Sequence, residues 1–136
     1  MLIAICMDSF AKTYGNITVS RVTSIYDGDT FRVDIDSWPD VIGKRVPIRV
    51  NGVDTPEIRG KCENEKQLAR KAKQFTVNQL RSAQKIELKN IRRGKYFRIV
   101  ADVYVDSVNI SELLISNNLA VRYDGKRTKK NWCEQQ

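Results

Sequence analysis

The sequence predicts an α+β fold, a five-stranded β-barrel of the OB type carrying two to three α-helices. Three observations predict it. Apolar and polar residues alternate in several short runs, the period of half-buried strands. A long stretch of helical periodicity falls between the third and fourth of those runs. The chain of 136 residues has no repeat, low-complexity tract or linker, which suits one core.

Residues 17–26 and 30–36 read as the first two strands. In the second, Phe31, Val33 and Ile35 point to one face and Arg32, Asp34 and Asp36 to the other. Trp38-Pro39-Asp40 and Gly43 mark a loop. Residues 45–51 alternate again, with Val46, Ile48 and Val50 inward and Arg49 outward, and Pro47 places this strand at an edge or bulge or makes it slightly irregular there. A helix is expected from about Asn64 to Ala83, opened by an Asn64/Gln67 capping box. Its apolar side is Leu68, Ala72, Phe75, Leu80 and Ala83. Residues 85–90 and 96–105 form the last two strands, joined by a turn at Arg92-Arg93-Gly94. A short helix follows from about Ile110 to Asn117, with Asn109 and Glu112 as a second capping box. Leu119 to Tyr123 add an extended piece. The expected organisation is an arm or signal-peptide remnant at 1–16, the OB-type domain at 17–123 and a basic tail at 124–136.

Composition narrows the chemistry. Lys plus Arg outnumber Asp plus Glu by 24 to 16, a net charge of +8. That surplus favours a polyanionic partner, nucleic acid before anionic lipid. No apolar run is long enough to cross a membrane, and nothing demands an oligomer, so a monomer is expected. There is no histidine. His-based acid–base catalysis, Ser-His-Asp triads and His-assisted zinc sites are therefore excluded. Hydrolysis would have to run on carboxylates, arginines, lysines, tyrosines or a hard metal ion.

The three cysteines form no CxxC pair. Cys62 and Cys133 either pair, pinning the tail to the body, or are two unrelated thiols. A bond would require an oxidising compartment. The start, MLIAICMDSFAKTYG, is similar to the back half of a secretory signal with a cut after Ala11, although it lacks a basic region and carries Asp8. Secretion or a periplasmic location is the expectation, with a cytoplasmic one not excluded.

Three clusters carry chemistry, and each has a plain structural explanation. Asp27-Gly28-Asp29-Thr30 is a hairpin turn signal. In VDTPEIRG, residues 53–60, Thr55, Pro56 and Glu57 suit the start of a helical turn. GKYFR, residues 94–98, reads as a tight basic turn. Phosphodiester hydrolysis without histidine explains them jointly. Asp29 and Asp54, each at a strand end, offer hard oxygen ligands for Ca²⁺, helped by the Thr55 carbonyl. Glu57 could hold the attacking water, and Arg49 and Arg98 could clamp the phosphate with paired N–H donors.

The motifs YDGDTFRV, VPIRVNGVDTPEIRG, GKYFRIVADVYV and VNISELLISNNLAVRY resemble the staphylococcal-nuclease-like (thermonuclease) family over about residues 17–123. The resemblance implies an OB-type barrel with helices and a Ca²⁺-dependent endonuclease that cuts DNA and RNA, leaving 3′-phosphates. It implies Asp29, Asp54 and the Thr55 carbonyl as calcium ligands, Glu57 as general base, and Arg49 and Arg98 as the phosphate-binding arginines. Lys95 and Tyr96 match residues that contact the nucleotide's terminal phosphate, and Tyr123 an aromatic that packs on the base. Two features depart from the pattern: Phe97 replaces a glycine before the second arginine, and KRTKKNWC stands where a last long helix would be.

Two rival readings differ in what they require. An OB-type nucleic-acid-binding module without catalysis would lack one of Asp29, Asp54, Glu57, Arg49 or Arg98, and all five are present. A restriction-type nuclease would use Glu87-x-Lys89 and Mg²⁺, although an alternating strand with outward charges explains that pair.

Overall fold

The computed structural model describes residues 13–126 and 129–134. The candidate leader at residues 1–11 and Cys6 lie outside them. Among the described residues, nine strands and three α-helices run in chain order. The strands are β1 (Ile17–Thr18), β2 (Arg21–Asp27), β3 (Thr30–Asp34), β4 (Val46–Val50), β5 (Val53–Asp54), β6 (Ile86–Arg93), β7 (Ile99–Val105), β8 (Val108–Asn109) and β9 (Val121–Arg122). The helices are α1 (Asp40–Gly43), α2 (Glu63–Ser82) and α3 (Ile110–Ser116). Five strands of five residues or more, β2, β3, β4, β6 and β7, are the five that alternation predicts.

The main sheet has the order β1-β6-β7-β4-β3-β2, with β8 on β7. It is antiparallel except between β4 and β7, where Ile48 pairs with Ile99 in parallel register. Its two ends are consecutive in sequence. The expected first strand bends at Val19 and Ser20, where Val19 N–H donates to Ile86 O and Ser20 N–H to Asp34 O, both at 2.9 Å. One stretch of chain thus serves both edges and curls the sheet toward closure, which removes the free edge a flat sheet would expose. The result is an α+β architecture of the OB type.

Phe31, Val33 and Ile35 are at most 1% exposed, and Ile48 and Val50 lie with them. Leu88, Val103, Ile110 and Leu114 complete one core. Pro47 is not on an edge strand. β4 lies between β3 and β7, and Pro47 precedes Ile48, where pairing with β7 begins, so no ladder bond to that neighbour is lost.

Helix α2 differs from expectation in its cap, and its buried seam shares Ala72 and Leu80 with the expected face. Cys62 is the N-cap, its sulfur accepting the Glu65 N–H at 3.4 Å. The buried seam is Glu65, Ala69, Ala72, Thr76 and Leu80, while Leu68, Phe75 and Ala83 are half-buried. Small residues line the middle because the helix lies close on the turn between β2 and β3. A Cβ added to Gly28 would stand 3.0 Å from Ala72 Cβ and 3.1 Å from Thr55 Cγ2. Glycine is needed there for close approach. Strand β6 continues through Arg93 because a register shift between Lys89 and Arg92, with Asn90 at φ 53, absorbs an extra residue. The turn therefore falls at 95–97. Asn109 caps α3 as expected, accepting the Ser111 N–H at 2.9 Å. Glu112 instead makes two hydrogen bonds with Arg122 of β9.

Candidate active site

The β2–β3 turn presents its acidic groups inward. Asp27 Oδ1 accepts the Asp29 N–H at 3.1 Å, a local bond that tightens the turn. From α2, the Thr76 hydroxyl donates to Gly28 O at 2.7 Å and ties the turn to the helix. Asp29 is 4% exposed and Asp54 1%. The pairing of Thr30 with Arg49 sets the turn beside β4, and the Thr55 N–H donates to Asp29 Oδ2 at 3.2 Å. Asp29, Asp54 and Thr55 therefore meet, although 25 residues separate the two carboxylates in sequence.

Crowding buried carboxylates has an electrostatic cost. Burial, then the neighbouring Asp29 charge, pushes the Asp27 carboxyl up to about 8. Burial also raises Asp54, against the pull of a hydrogen bond from Trp132. Arg49 offsets part of this charge, with Nη1 2.8 Å from Asp29 Oδ2. Its guanidinium also donates to Val50 O and Val53 O, so the expected outward arginine is half-buried and fixed.

Among the described residues, three buried side-chain atoms have no hydrogen-bond partner: Asp54 Oδ1, Thr55 Oγ1 and Arg98 Nε. Buried polar atoms are nearly always paired, and all three belong to residues the sequence nominates for chemistry. A bound cation and phosphate would meet such atoms. Among the described residues, no cluster of three or more His, Cys, Asp or Glu side chains could hold a metal. The donor set here is two carboxylates with Thr55 oxygen. It fits a hard cation that keeps part of its water shell.

A cleft of about 610 Å³ opens beside these groups. Its cationic lining is Arg49, Arg92, Arg93, Lys95, Arg98 and Lys129, against the carboxylate of Asp124. Tyr123 also lines it. Tyr96 does not: on the 95–97 turn, with φ 56, its ring is 93% exposed. Phe97 beside it is 98% exposed, at φ 63. Glu57 lies outside the cleft wall but joins it through Lys129, whose Nζ is 3.5 Å from Glu57 Oε1. The helical turn expected after Thr55 is absent. Residues 55–57 are irregular, and Glu65 from α2 organises the loop, its carboxylate accepting the N–H groups of Glu57 at 3.2 Å and Lys61 at 3.0 Å.

Several site residues escape sequence reasoning. Arg92 and Arg93 line the cleft because β6 extends past its bulge; the hint was Ile91-Arg92, which resumes the alternation. Arg92 hydrogen-bonds Asn51, which in turn donates to Asp102 at 2.8 Å. Lys129 and Trp132 come from the basic tail. Trp132 is 7% exposed, and Cys133 is bonded to Cys62 with their Cα atoms 5.9 Å apart. The rival pair Glu87 and Lys89 lies elsewhere: Glu87 is 3.8 Å from Lys85, and the Lys89 ammonium sits 4.3 Å from the Tyr104 ring centroid.

A protein of Emericella nidulans named probable endonuclease lcl3 is 28% identical over 134 residues, covering 78% of this chain and 48% of that protein. The chain thus spans about half the length of that relative. The family model described as staphylococcal nuclease homologue matches residues 47–136, from β4 through the tail, taking in Arg49, Asp54, Thr55, Glu57 and Arg98. With that match over most of its length, the chain belongs to the staphylococcal nuclease homologue family.

Proposed function

We propose that this protein is a Ca²⁺-dependent endonuclease that hydrolyses phosphodiester bonds of DNA and RNA with little sequence preference, leaving 3′-phosphate ends. The observation that carries the reading is that Asp54 Oδ1, Thr55 Oγ1 and Arg98 Nε, buried without partners, belong to the acidic pair and cationic cleft. Family membership and a relative named as an endonuclease support it.

The chain's own residues divide the work. Arg98, Arg92 and Lys95 draw a phosphate into the cleft and bind its oxygens, with Arg49 held at its inner wall by the Val50 and Val53 carbonyls. These contacts address the backbone and carry no base information. Tyr123 offers a ring to the base. Glu57, outside the deepest burial, orients a water and accepts its proton. Arg49 and Arg98 stabilise charge developing on the phosphoryl oxygens. Asp29, Asp54 and Thr55 would hold the calcium ion, which when bound polarises the phosphate and reduces its repulsion of an anionic nucleophile. The Cys62–Cys133 bond favours an oxidising compartment such as a periplasm or the exterior.

The test is digestion of defined DNA and RNA oligonucleotides with Ca²⁺, Mg²⁺ or a chelator, with product ends mapped. Ca²⁺-dependent cleavage to 3′-phosphates is expected. Products bearing 5′-phosphates, or nucleic acid bound with Ca²⁺ yet never cut, would refute the reading.

A further inference from the structure

Near the end of the described residues, the indole of Trp132 touches Asp54, the carboxylate whose other oxygen has no hydrogen-bond partner. Trp132 Nε1–H donates to Asp54 Oδ2 at 3.3 Å, while Asp54 Oδ1 is buried without a partner. Two further contacts hold the backbone that carries the indole. Asn64 Nδ2 donates to Trp132 O at 3.3 Å, and the next residue, Cys133, is bonded to Cys62 at the start of α2. The Lys130 ammonium sits 4.5 Å from the centroid of the indole.

We propose that Trp132 is a positioning residue for the cation site, its N–H holding one oxygen of Asp54 so that the other faces the cation. The inference rests on the reading of Asp54 as a cation ligand. A carboxylate accepts through both oxygens, whereas an indole is a neutral single donor. An arginine in this place would turn the carboxylate equally well but would add a second positive charge to that of Arg49 beside the cation. The indole takes up Oδ2, stops rotation of the group and leaves its full charge in place. Partners that orient ligands in this way typically contribute about 10- to 100-fold to metal affinity. The disulfide supplies the tether, because a segment without regular secondary structure would otherwise lose considerable freedom on docking.

The experiment is a calorimetric titration of Ca²⁺, without nucleic acid, into the wild-type protein, Trp132→Phe and Cys133→Ser, with the Tm of each cation-free form. Phenylalanine keeps the ring and removes the donor. Cys133→Ser keeps the indole and removes its tether, so it reports even where the phenylalanine variant does not fold. The dissociation constant is expected to rise about 10- to 100-fold in Trp132→Phe, and to rise in Cys133→Ser. A lowered Tm with an unchanged dissociation constant would mean a purely structural role and overturn the inference alone. Wild-type protein that takes up no Ca²⁺ would overturn the cation reading and the inference with it.

Discussion

Arg98 and Arg49 stand in different environments, and their variants separate accordingly. Arg98 has a buried Nε without a partner, so under the proposed function Arg98→Ala removes mainly a contact to substrate. Its kcat is expected to fall about 10²-fold or more, as for loss of an oxyanion donor, with Tm near wild type. Arg98→Lys should recover little, since a single ammonium cannot replace paired guanidinium donors. Arg49→Ala should lower both kcat and Tm, because Arg49 also neutralises Asp29 and binds two carbonyls. Single-turnover kinetics with thermal melts distinguish the two. Asp27 makes a pH prediction for the cation-free protein. Its pKa is raised from 3.8 in the reference state to about 8 in the fold. The folded state therefore holds the proton more tightly. The resulting stability is fully present below the unfolded value and is lost as pH rises through the folded one. Between these limits stability should decline with rising pH, and Asp27→Asn should flatten that slope in denaturant titrations with chelator present. An unchanged slope would contradict it.

Helix α2 serves the site although none of its residues lines the cationic cleft. Thr76 holds the acidic turn through Gly28 O, Ala72 gives Gly28 room to approach, and Glu65 gathers the loop carrying Glu57. Thr76→Val leaves a buried carbonyl without its donor, costing about 1–3 kcal/mol. Unfolding should show that loss, and activity should fall with it because the turn carries Asp29. The sequence makes the helix legible by its period, and of the expected face Ala72 and Leu80 are buried while Phe75 and Ala83 pack against the core. Leu68 and Phe75 are the larger apolar residues, yet close approach of helix and turn selects alanine, threonine and a carboxylate for the seam. The cap was misread for a related reason. Asn64 and Gln67 satisfy a local pattern, whereas Cys62 and Glu65 satisfy the loop that the helix packs against.

For the whole molecule, the Cys62–Cys133 bond closes a loop with a sequence separation of 71. Loop-closure entropy and the docking of Trp132 make it worth about 2–4 kcal/mol. Reduction is expected to lower Tm by about 10 °C at this size, and an unchanged Tm on complete reduction would refute that contribution. The sheet's closure by β1 and β2 gives a second consequence. Its edges are joined by the bend at Val19 and Ser20, so few free strand edges remain to recruit other chains.

By itself the sequence determined the five long strands, both longer helices, the basic character and the nomination of Asp29, Asp54, Glu57, Arg49 and Arg98. These are local or compositional signals: a two-residue period, a helical period, a charge surplus and short motifs. Only the tertiary structure decided which nominated residues meet. Arg92 and Arg93 reach the cleft because a bulge lengthens β6, Tyr96 stays outside it because its turn is left-handed, and Trp132 reaches Asp54 because Cys133 is tied to Cys62. Register shifts, chain reversals and a cross-link act between residues far apart in sequence, where no local period carries their signal. The Asp27-Gly28-Asp29 turn shows both halves. Its residues announce a bend, but helix α2 and strand β4, packed on either side, bring Asp29 against Thr55 and Arg49.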